Sequence, residues 1–507
     1  MKQVTSVFWV SIVICIAFVL WGSLAPENLG TVTGDIQGFL TRNFGWFYLL
    51  SVTIFLLFSI YLIFSPYGKI RLGKQSDRPE YNKITWFAML FSAGMGIGLI
   101  FWGSAEPLAH FAAPPNAEPE TIEAARNSLR YTFFHWGFHT WAIYTVIGLA
   151  IAYFKFRREA PGLISATFEP ILGNRVNGLI GKTIDVIAVF ATIFGVATSL
   201  GLGASQIGGG LAFLTDIDND FLTQFIIILI VTVLFMFSAW TGISKGIKYL
   251  SNTNIVLAVI LILLTIIIGP GVYIMNLFSS TLGEYLQNIP SQSFEMAPFD
   301  AKHNEWIEGW TVFYWAWFIA WSPFVGTFIA RVSKGRTVRE FVLGVLVIPS
   351  LFSMFWFAVF GGTSLKQELD GVNTGLTDLA TEQALFGMFE SMPFGVILTV
   401  VAVVLISTFF ITSADSATFV LGMQTTNGSL NPPNTVKLSW GIIQAATASV
   451  LLASGGLEAL QTASILSAFP FAIILLVMIY SLLKALKEDA RRTFQKPDEK
   501  TNKNNVK

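Results

Sequence analysis

The sequence has very little cysteine and little charge. A single cysteine, Cys15, excludes an internal disulfide framework. Charged residues make up 12% of the 507 residues, whereas soluble domains usually contain about 25%. Acidic and basic residues are equal in number, 31 of each, so no net charge attracts nucleic acid. These shortages exclude a disulfide-rich secreted protein and argue against a soluble globular one.

Catalytic patterns are also missing from the sequence. We find no nucleophile–base set, paired carboxylates or cysteine pair, and therefore predict neither catalysis nor a cofactor. His135 and His139 are spaced as in some zinc sites, but no glutamate follows His135 and no third ligand is evident. We interpret both histidines as packing or hydrogen-bonding residues.

Long apolar runs are what the chain has in abundance, with 53% hydrophobic residues. A helix needs about 20 apolar residues to cross a membrane, and twelve runs meet that length: 5–24, 46–65, 84–104, 131–154, 183–206, 221–242, 254–275, 306–330, 339–362, 392–424, 437–454 and 457–483. The first run also resembles a signal peptide, because Lys2 precedes it. Its length and the tryptophans near its ends, Trp9 and Trp21, favour a retained span.

The distribution of basic residues supports this count. If the N-terminus is cytoplasmic, 26 of the 31 Lys and Arg residues fall in cytoplasmic segments and five in outer loops. The positive-inside rule requires such a bias. One missed span would exchange the cytoplasmic and outer loops that follow it and so remove the bias. We predict an all-α polytopic membrane protein with 12 transmembrane helices and both termini cytoplasmic.

Interrupted helices divide the predicted bundle into two halves. Span three contains Gly94, Gly96 and Gly98, and span eight contains Pro323 and Gly326. Interruptions at corresponding positions are typical of inverted repeats in transporters. We therefore predict a 5+5 inverted repeat preceded by two extra helices. The predicted units are an N-terminal segment with two peripheral helices (1–83), a first five-helix repeat (84–275) and an amphipathic interfacial helix with an outer loop (276–305). A second five-helix repeat (306–483) and a short basic cytoplasmic tail (484–507) follow.

The glycine stretch of span three and the hydroxyls of span ten form a candidate cation site. Unwound backbone is tolerated in a membrane where it lines a cavity or is buried in protein, and its free carbonyls suit a hard cation. Thr412, Ser413 and the carbonyl of Phe409 add oxygens without a carboxylate, which favours a monovalent ion over calcium. The alternatives are close packing through glycine and hydroxyls bonded to their own helix. Asp415 is an intramembrane carboxylate with either a proton-relay or a structural role.

Aromatic residues concentrate in span eight, in the segment "FYWAWFIAW" at 313–321. On an ideal helix six of its aromatics share a face about 100° wide that extends over about 21 Å, deeper than an interfacial belt: Trp310, Phe313, Tyr314, Trp317, Trp321 and Phe324. Trp315 points away from this face and Phe318 lies at its edge. Span four adds Trp136, Trp141 and Tyr144. Such a cage suits a quaternary ammonium group, and the alternative is an aromatic packing core.

Three motifs together resemble the betaine/choline/carnitine transporter family over nearly the whole chain. They are "GMGIGL" in span three, "HWGFHTWAIY" in span four and "WTVFYWAWFIAWSPFVGTFIARVSKGRTVREF" across span eight and the following loop. Within the family, the chain is similar to the sodium-coupled glycine betaine transporters of bacteria. The resemblance implies a homotrimer of twelve-span subunits in the bacterial cell membrane, each with its own substrate site.

The resemblance also implies roles for individual residues. It assigns substrate binding to Trp136, Trp141, Tyr144, Trp315, Trp317, Phe318 and Trp321, and gating to Phe313 and Phe324. Sodium-coupled relatives often have tryptophan at the position of Phe318. That departure affects the rank of substrates more than their class, because phenylalanine keeps the ring and loses the indole N–H.

The resemblance places one sodium site on the carbonyls of Ser92, Met95 and Phe409 and the hydroxyls of Thr412 and Ser413. A second sodium site would involve Thr192, although Val196 stands where a second hydroxyl is expected. Sodium then acts as a coupling ion rather than as a cofactor.

We therefore expect a sodium-coupled secondary transporter that imports a quaternary-ammonium compatible solute, with glycine betaine as the expected substrate. The alternatives are choline, carnitine or ectoine uptake by the same fold, and a sodium-coupled amino-acid symporter. The expected partners are a small osmolyte, the lipid bilayer and further copies of the chain, with no nucleic acid.

Overall fold

The structure, a computed structural model, describes residues 4–94, 96–241 and 244–494, without the side chains of 91–94, 241, 244–248 and 492–494. Over these ranges the chain is helical, and β pairing is limited to a single bridge between Arg71 and Thr337. The predicted all-α class is confirmed.

The described residues form 17 α-helices. The first eight are α1 (Ser6–Leu24), α2 (Pro26–Phe64), α3 (Lys83–Gly94), α4 (Ile97–Ala112), α5 (Ile122–Trp136), α6 (Phe138–Ala152), α7 (Glu169–Leu172) and α8 (Leu179–Leu214). The others are α9 (Phe221–Thr241), α10 (Ser244–Ile268), α11 (Gly271–Gln292), α12 (Ala301–Ile307), α13 (Phe313–Arg331), α14 (Val338–Leu369), α15 (Ala384–Glu390), α16 (Gly395–Thr425) and α17 (Asn434–Phe494).

In the described part of the chain, ten helical segments are long and apolar enough to cross a membrane. The last of them, α17, leaves the helical conformation at Gly455 and Gly456, where the sequence separates two predicted spans. Helices α3 and α4 have 12 and 16 residues, too few for a span each, and together occupy predicted span three. The count of twelve spans and the inverted repeat stay predictions.

Several helices extend beyond the predicted spans. Helix α2 has 39 residues and begins at Pro26, about 20 residues before the predicted run. Proline is favoured at the first position of a helix, but the polar residues that follow hide this first half from a search for apolar runs. Helix α11 contains the predicted amphipathic segment; its Tyr285 is buried, and Phe278, Leu282 and Ile289 pack against the core.

The two predicted helix interruptions have different outcomes. In span three, α3 ends at Gly94 and α4 begins at Ile97, with Gly96 in an extended conformation, so this prediction is confirmed. In span eight, α13 continues through Pro323, so the predicted break is wrong. Proline removes the N–H partner of the carbonyl four residues earlier. Here the Ser322 hydroxyl donates to that Ile319 carbonyl at 2.7 Å, which keeps the helix intact.

Helix α13 lies in the centre of the bundle, with nearly every residue buried. It packs closely on α6 through small residues: a Cβ at Gly326 would lie 2.5 Å from Cγ2 of Ile147 and 3.2 Å from the backbone nitrogen of Gly148. The glycine therefore sets the distance between the two helices that carry most of the predicted aromatic cluster.

We predict that Gly326→Ala destabilises the protein by roughly 1–3 kcal/mol, because its methyl group overpacks the α6–α13 contact. Gly283→Ala on α11 is the matched control, since a Cβ there meets nothing within 4 Å. Thermal unfolding in detergent should show a lower midpoint for Gly326→Ala alone. Equal midpoints for the two variants would contradict the proposed role of this contact.

Candidate functional site

The broken helix lies directly against the aromatic face of α13. A Cβ at Gly98 would lie 2.3 Å from Cη2 of Trp317, and a Cβ at Gly96 would lie 3.3 Å from Cη2 of Trp321. The same position at Gly96 is 3.9 Å from the Ser413 hydroxyl on α16. The alternate glycines therefore make room for the two indoles, and they bring the helix break, the aromatic face and a span-ten hydroxyl together.

Four rings form what we call the aromatic box: Trp136, Trp141, Tyr144 and Phe318. The centroid of Phe318 lies 5.2 Å from that of Trp136 and 6.2 Å from that of Tyr144, both edge-to-face. Trp141 and Tyr144 are 5.4 Å apart. All four side chains are buried. The structure thus brings the span-four aromatics together with Phe318, one of the positions at which the chain departs from the expected family pattern.

The aromatic face of α13 continues beyond the box in both directions. Trp317 stacks on Phe318 at 5.5 Å and on Phe313 at 5.7 Å. Further along the helix, Trp321 contacts Phe324 at 5.5 Å. Of the residues predicted to gate, Phe313 therefore stacks on Trp317 next to the box, and Phe324 packs on Trp321 further along the helix.

Trp315 lies on the other face of α13. Its ring stacks on His139 at 5.5 Å and meets Phe134 edge-to-face at 5.2 Å. The family resemblance implies substrate binding by Trp315, but the structure does not bring this residue to the box. The reason is the helical spacing itself, which turns position 315 away from positions 317 and 321.

Three polar atoms next to the box are buried and, among the described residues, have no hydrogen-bond partner: Nε1 of Trp317, Nε1 of Trp321 and the hydroxyl of Tyr144. An unpaired buried donor costs about 1–3 kcal/mol. Native proteins retain such groups where a ligand completes them. The indoles of Trp317 and Trp321 lie beside the helix break, where their N–H groups are available to an acceptor.

Sequence reasoning missed a buried carboxylate behind the box, Glu106 on α4. Its Oε2 accepts hydrogen bonds from Nε1 of Trp136 at 2.7 Å and the hydroxyl of Tyr314 at 2.6 Å. Its Oε1 lies 2.7 Å from Nδ1 of His135 and 3.3 Å from Nε2 of His110. An intramembrane carboxylate is a functional candidate by default. The sequence shows such a carboxylate at Glu106 as clearly as at Asp415.

The cluster of Glu106, His110 and His135 also has the residue types of a metal site, with three ligand atoms within 4.8 Å of one another. Both carboxylate oxygens, however, already have hydrogen-bond partners. Nε2 of His135 lies 2.9 Å from the Thr311 hydroxyl. His139 in turn contacts the hydroxyl of Ser293 at 2.9 Å. We therefore interpret the cluster as a hydrogen-bond network, in agreement with the sequence interpretation of His135 and His139.

Two hydroxyls proposed for sodium binding bond to their own helices. The Thr412 hydroxyl lies 3.0 Å from the carbonyl of Thr408 and 3.1 Å from that of Phe409, and it accepts from Nδ2 of Asn254 at 3.1 Å. The Thr192 hydroxyl donates to Ala188 at 2.7 Å. A sodium ion at Thr412 would exchange these bonds for its own.

The remaining residues of the predicted sodium site are only partly visible. Met95 lies outside the described residues, and so does the side chain of Ser92, whose backbone belongs to α3. Oδ1 of Asn254 is buried without a partner among the described residues. This amide, which the sequence analysis did not select, offers a further oxygen next to Thr412.

Comparison with known proteins identifies the family. The model of the betaine/carnitine/choline family transporters matches residues 6–491. The chain belongs to this family. It is 57% identical to the glycine betaine transporter OpuD of Bacillus subtilis (strain 168), with 97% of this chain and 96% of the relative covered.

Two further relatives match over similar lengths. The chain is 48% identical to a probable glycine betaine transporter of Desulfitobacterium hafniense and 44% identical to an ectoine/hydroxyectoine transporter of Virgibacillus pantothenticus. In each case the match covers 96% of this chain and 98% of the relative. The predicted resemblance is confirmed: the protein is a multi-pass membrane transporter and not an enzyme.

A cavity of about 400 Å³ opens in this transporter between α6, α13 and α16. Its polar lining includes Asp415 together with Lys155, Arg331 and Lys437. Oδ1 of Asp415 has no partner among the described residues. Cations and one carboxylate thus surround a space whose lining includes Thr327, one turn beyond Phe324 on α13.

We predict that Gly98→Ala weakens binding of the transported solute by about tenfold or more, with glycine betaine and ectoine, the solutes in the names of these relatives, as the ligands tested. The added methyl group must displace the Trp317 indole that stacks on Phe318. Tryptophan fluorescence titration of purified protein measures the affinity. Gly283→Ala again serves as the control, and an unchanged affinity in Gly98→Ala would contradict the assigned geometry.

Proposed function

We propose that this transporter imports a zwitterionic quaternary-ammonium solute, with glycine betaine as its principal substrate, and that sodium drives the import. The aromatic box carries this proposal. A trimethylammonium group cannot donate hydrogen bonds, so its best partners are the faces of aromatic rings, each worth about 0.5–2 kcal/mol. Four buried rings, each in contact with at least one other, provide such faces.

The unpaired donors beside the box support a substrate with a carboxylate. The indole N–H groups of Trp317 and Trp321 and the hydroxyl of Tyr144 have the chemistry to pair with an anionic oxygen. Glycine betaine, carnitine and ectoine carry a carboxylate, whereas choline carries only a hydroxyl. Betaine is therefore favoured over choline, and two of the relatives are glycine betaine transporters by name.

Sodium coupling is supported by the position of the helix break. The helix break between α3 and α4 lies beside the span-ten segment that holds Ser413, because a Cβ at Gly96 would lie 3.9 Å from this hydroxyl. We propose a sodium site formed by the carbonyls of Ser92, Met95 and Phe409 and the hydroxyls of Thr412 and Ser413. A second sodium site at Thr192 is proposed on the family resemblance alone.

Transport requires the box to open. Trp136 and Phe318 touch in this structure, so a substrate enters only when the helices that carry them separate. We propose alternating access, in which the basic cavity beside Phe324 is the exit on the cytoplasmic side. The proposal includes twelve spans with a 5+5 inverted repeat, cytoplasmic termini and a homotrimer in the bacterial cell membrane, as the family resemblance implies.

We expect Phe318→Leu to weaken betaine binding roughly 2- to 30-fold, because leucine keeps apolar volume and removes one cation–π partner. The matched control is Phe389→Leu on α15, a buried ring that packs on Phe360 away from the box. Both affinities come from tryptophan fluorescence titration. An equal effect of the two substitutions would argue that the ring at 318 is only packing.

Uptake of labelled betaine into proteoliposomes should collapse without an inward sodium gradient.

The double substitution Thr412→Ala with Ser413→Ala should raise the sodium concentration for half-maximal uptake roughly tenfold, because two ligand oxygens are lost. Thr408→Ala is the matched control, since its hydroxyl lies one turn away and bonds to its own helix. Full uptake without sodium would refute the coupling.

A further inference from the structure

Glu106 lies next to the aromatic box and bonds to one of its rings, Trp136. The residue is fully buried, and four donor-capable groups surround its two oxygens. An indole N–H can only donate, so the contact from Trp136 identifies Oε2 as an acceptor. The carboxylate therefore lies directly behind a wall of the box, at the edge of the ring whose face is offered to the substrate.

We propose that Glu106 is a positioning residue that strengthens the box for cationic substrates, acting through Trp136. This inference rests on the proposed function, because it requires the ring of Trp136 to face a quaternary ammonium group. The carboxylate fixes the indole plane through a hydrogen bond to Nε1. Its negative charge also increases the electron density of the indole ring, and hence the attraction between the ring face and a cation.

The geometry favours both effects. Charge-assisted hydrogen bonds are short and roughly twice as strong as neutral ones, and the bond from Trp136 measures 2.7 Å. Charges in a buried site interact more strongly than in water because screening is weak. The second donor to Oε2, Tyr314, stacks on Phe318 at 5.9 Å. Glu106 thus supports two of the four box rings, one directly and one through a stacked neighbour.

The other wall of the box provides an internal comparison. Within the described residues, no carboxylate lies against Nε1 of Trp141, although this ring belongs to the same box. Changing Trp136 to phenylalanine removes both the indole and its link to Glu106. The same change at Trp141 removes an indole alone.

The test compares two ligands that differ in one atom. Glycine betaine has a trimethylammonium head, and 3,3-dimethylbutanoate has the same shape with carbon in place of the charged nitrogen. In Glu106→Gln, betaine binding should weaken about tenfold, while binding of 3,3-dimethylbutanoate, which keeps the carboxylate and lacks the ammonium charge, should not weaken. Isothermal titration of the purified full-length protein measures both affinities.

The matched control is Glu382→Gln, the same chemical change at a half-buried glutamate that accepts from Asn219 near the C-terminal end of α8. It should leave the ratio of the two affinities unchanged. Equal weakening of both ligands in Glu106→Gln, or no weakening of either, would overturn the proposal, because a purely structural role does not distinguish ligand charge.

A second pair of variants keeps the proposal testable if Glu106→Gln does not fold. Betaine affinity should fall at least about threefold more in Trp136→Phe than in Trp141→Phe, and equal losses would overturn the proposal. The unmodified protein separates this inference from the proposed function. If it binds no betaine, the proposed function fails; if it binds betaine and the charge dependence is absent, only the role of Glu106 fails.

Discussion

The contact of two indole rings with two glycines is the constraint on which the rest of this site depends. Trp317 and Trp321 occupy the space that side chains at Gly98 and Gly96 would fill. The contact therefore joins the break between α3 and α4 to the aromatic face of α13. Because Trp317 also stacks on Phe318, a shift of the broken helix would also move a ring that contacts the box.

Buried polar groups divide into two classes around this contact. Behind the box, Glu106 is paired with Trp136, Tyr314 and two histidines. In front of it, the N–H groups of Trp317 and Trp321 have no partner among the described residues. Within a membrane no bulk water compensates an unpaired donor. The paired Glu106 therefore holds the wall at Trp136 in place, and the unpaired indoles of Trp317 and Trp321 are available to an acceptor.

The sequence predicted the elements of this site better than their connections. Helical spacing correctly separated Trp315 from Trp317, and the alternate glycines correctly indicated an interrupted helix. Pro323 was misleading because the repair by the Ser322 hydroxyl is a three-dimensional detail. The polar first half of α2 was missed, since hydropathy detects apolar runs and not helices in general.

The role of Glu106 was out of reach for a different reason. His110 is four residues away on the same helix, but Trp136 and Tyr314 are about 30 and about 200 residues away in sequence, and no local spacing connects these two with Glu106. Phe318 shows the same limit. The resemblance identified it as a departure from the family pattern, but only the structure places it between Trp136 and Tyr144.

One binding measurement tests the central claim most directly, namely that the aromatic box recognises a fully methylated ammonium group. Glycine, sarcosine, dimethylglycine and glycine betaine share a carboxylate and differ only in the methyl groups on nitrogen. Titrated against the purified protein in sodium buffer, their affinities should rise with each methyl group and be highest for betaine. An affinity for glycine or sarcosine equal to or above that for betaine would contradict the account and indicate an amino-acid site.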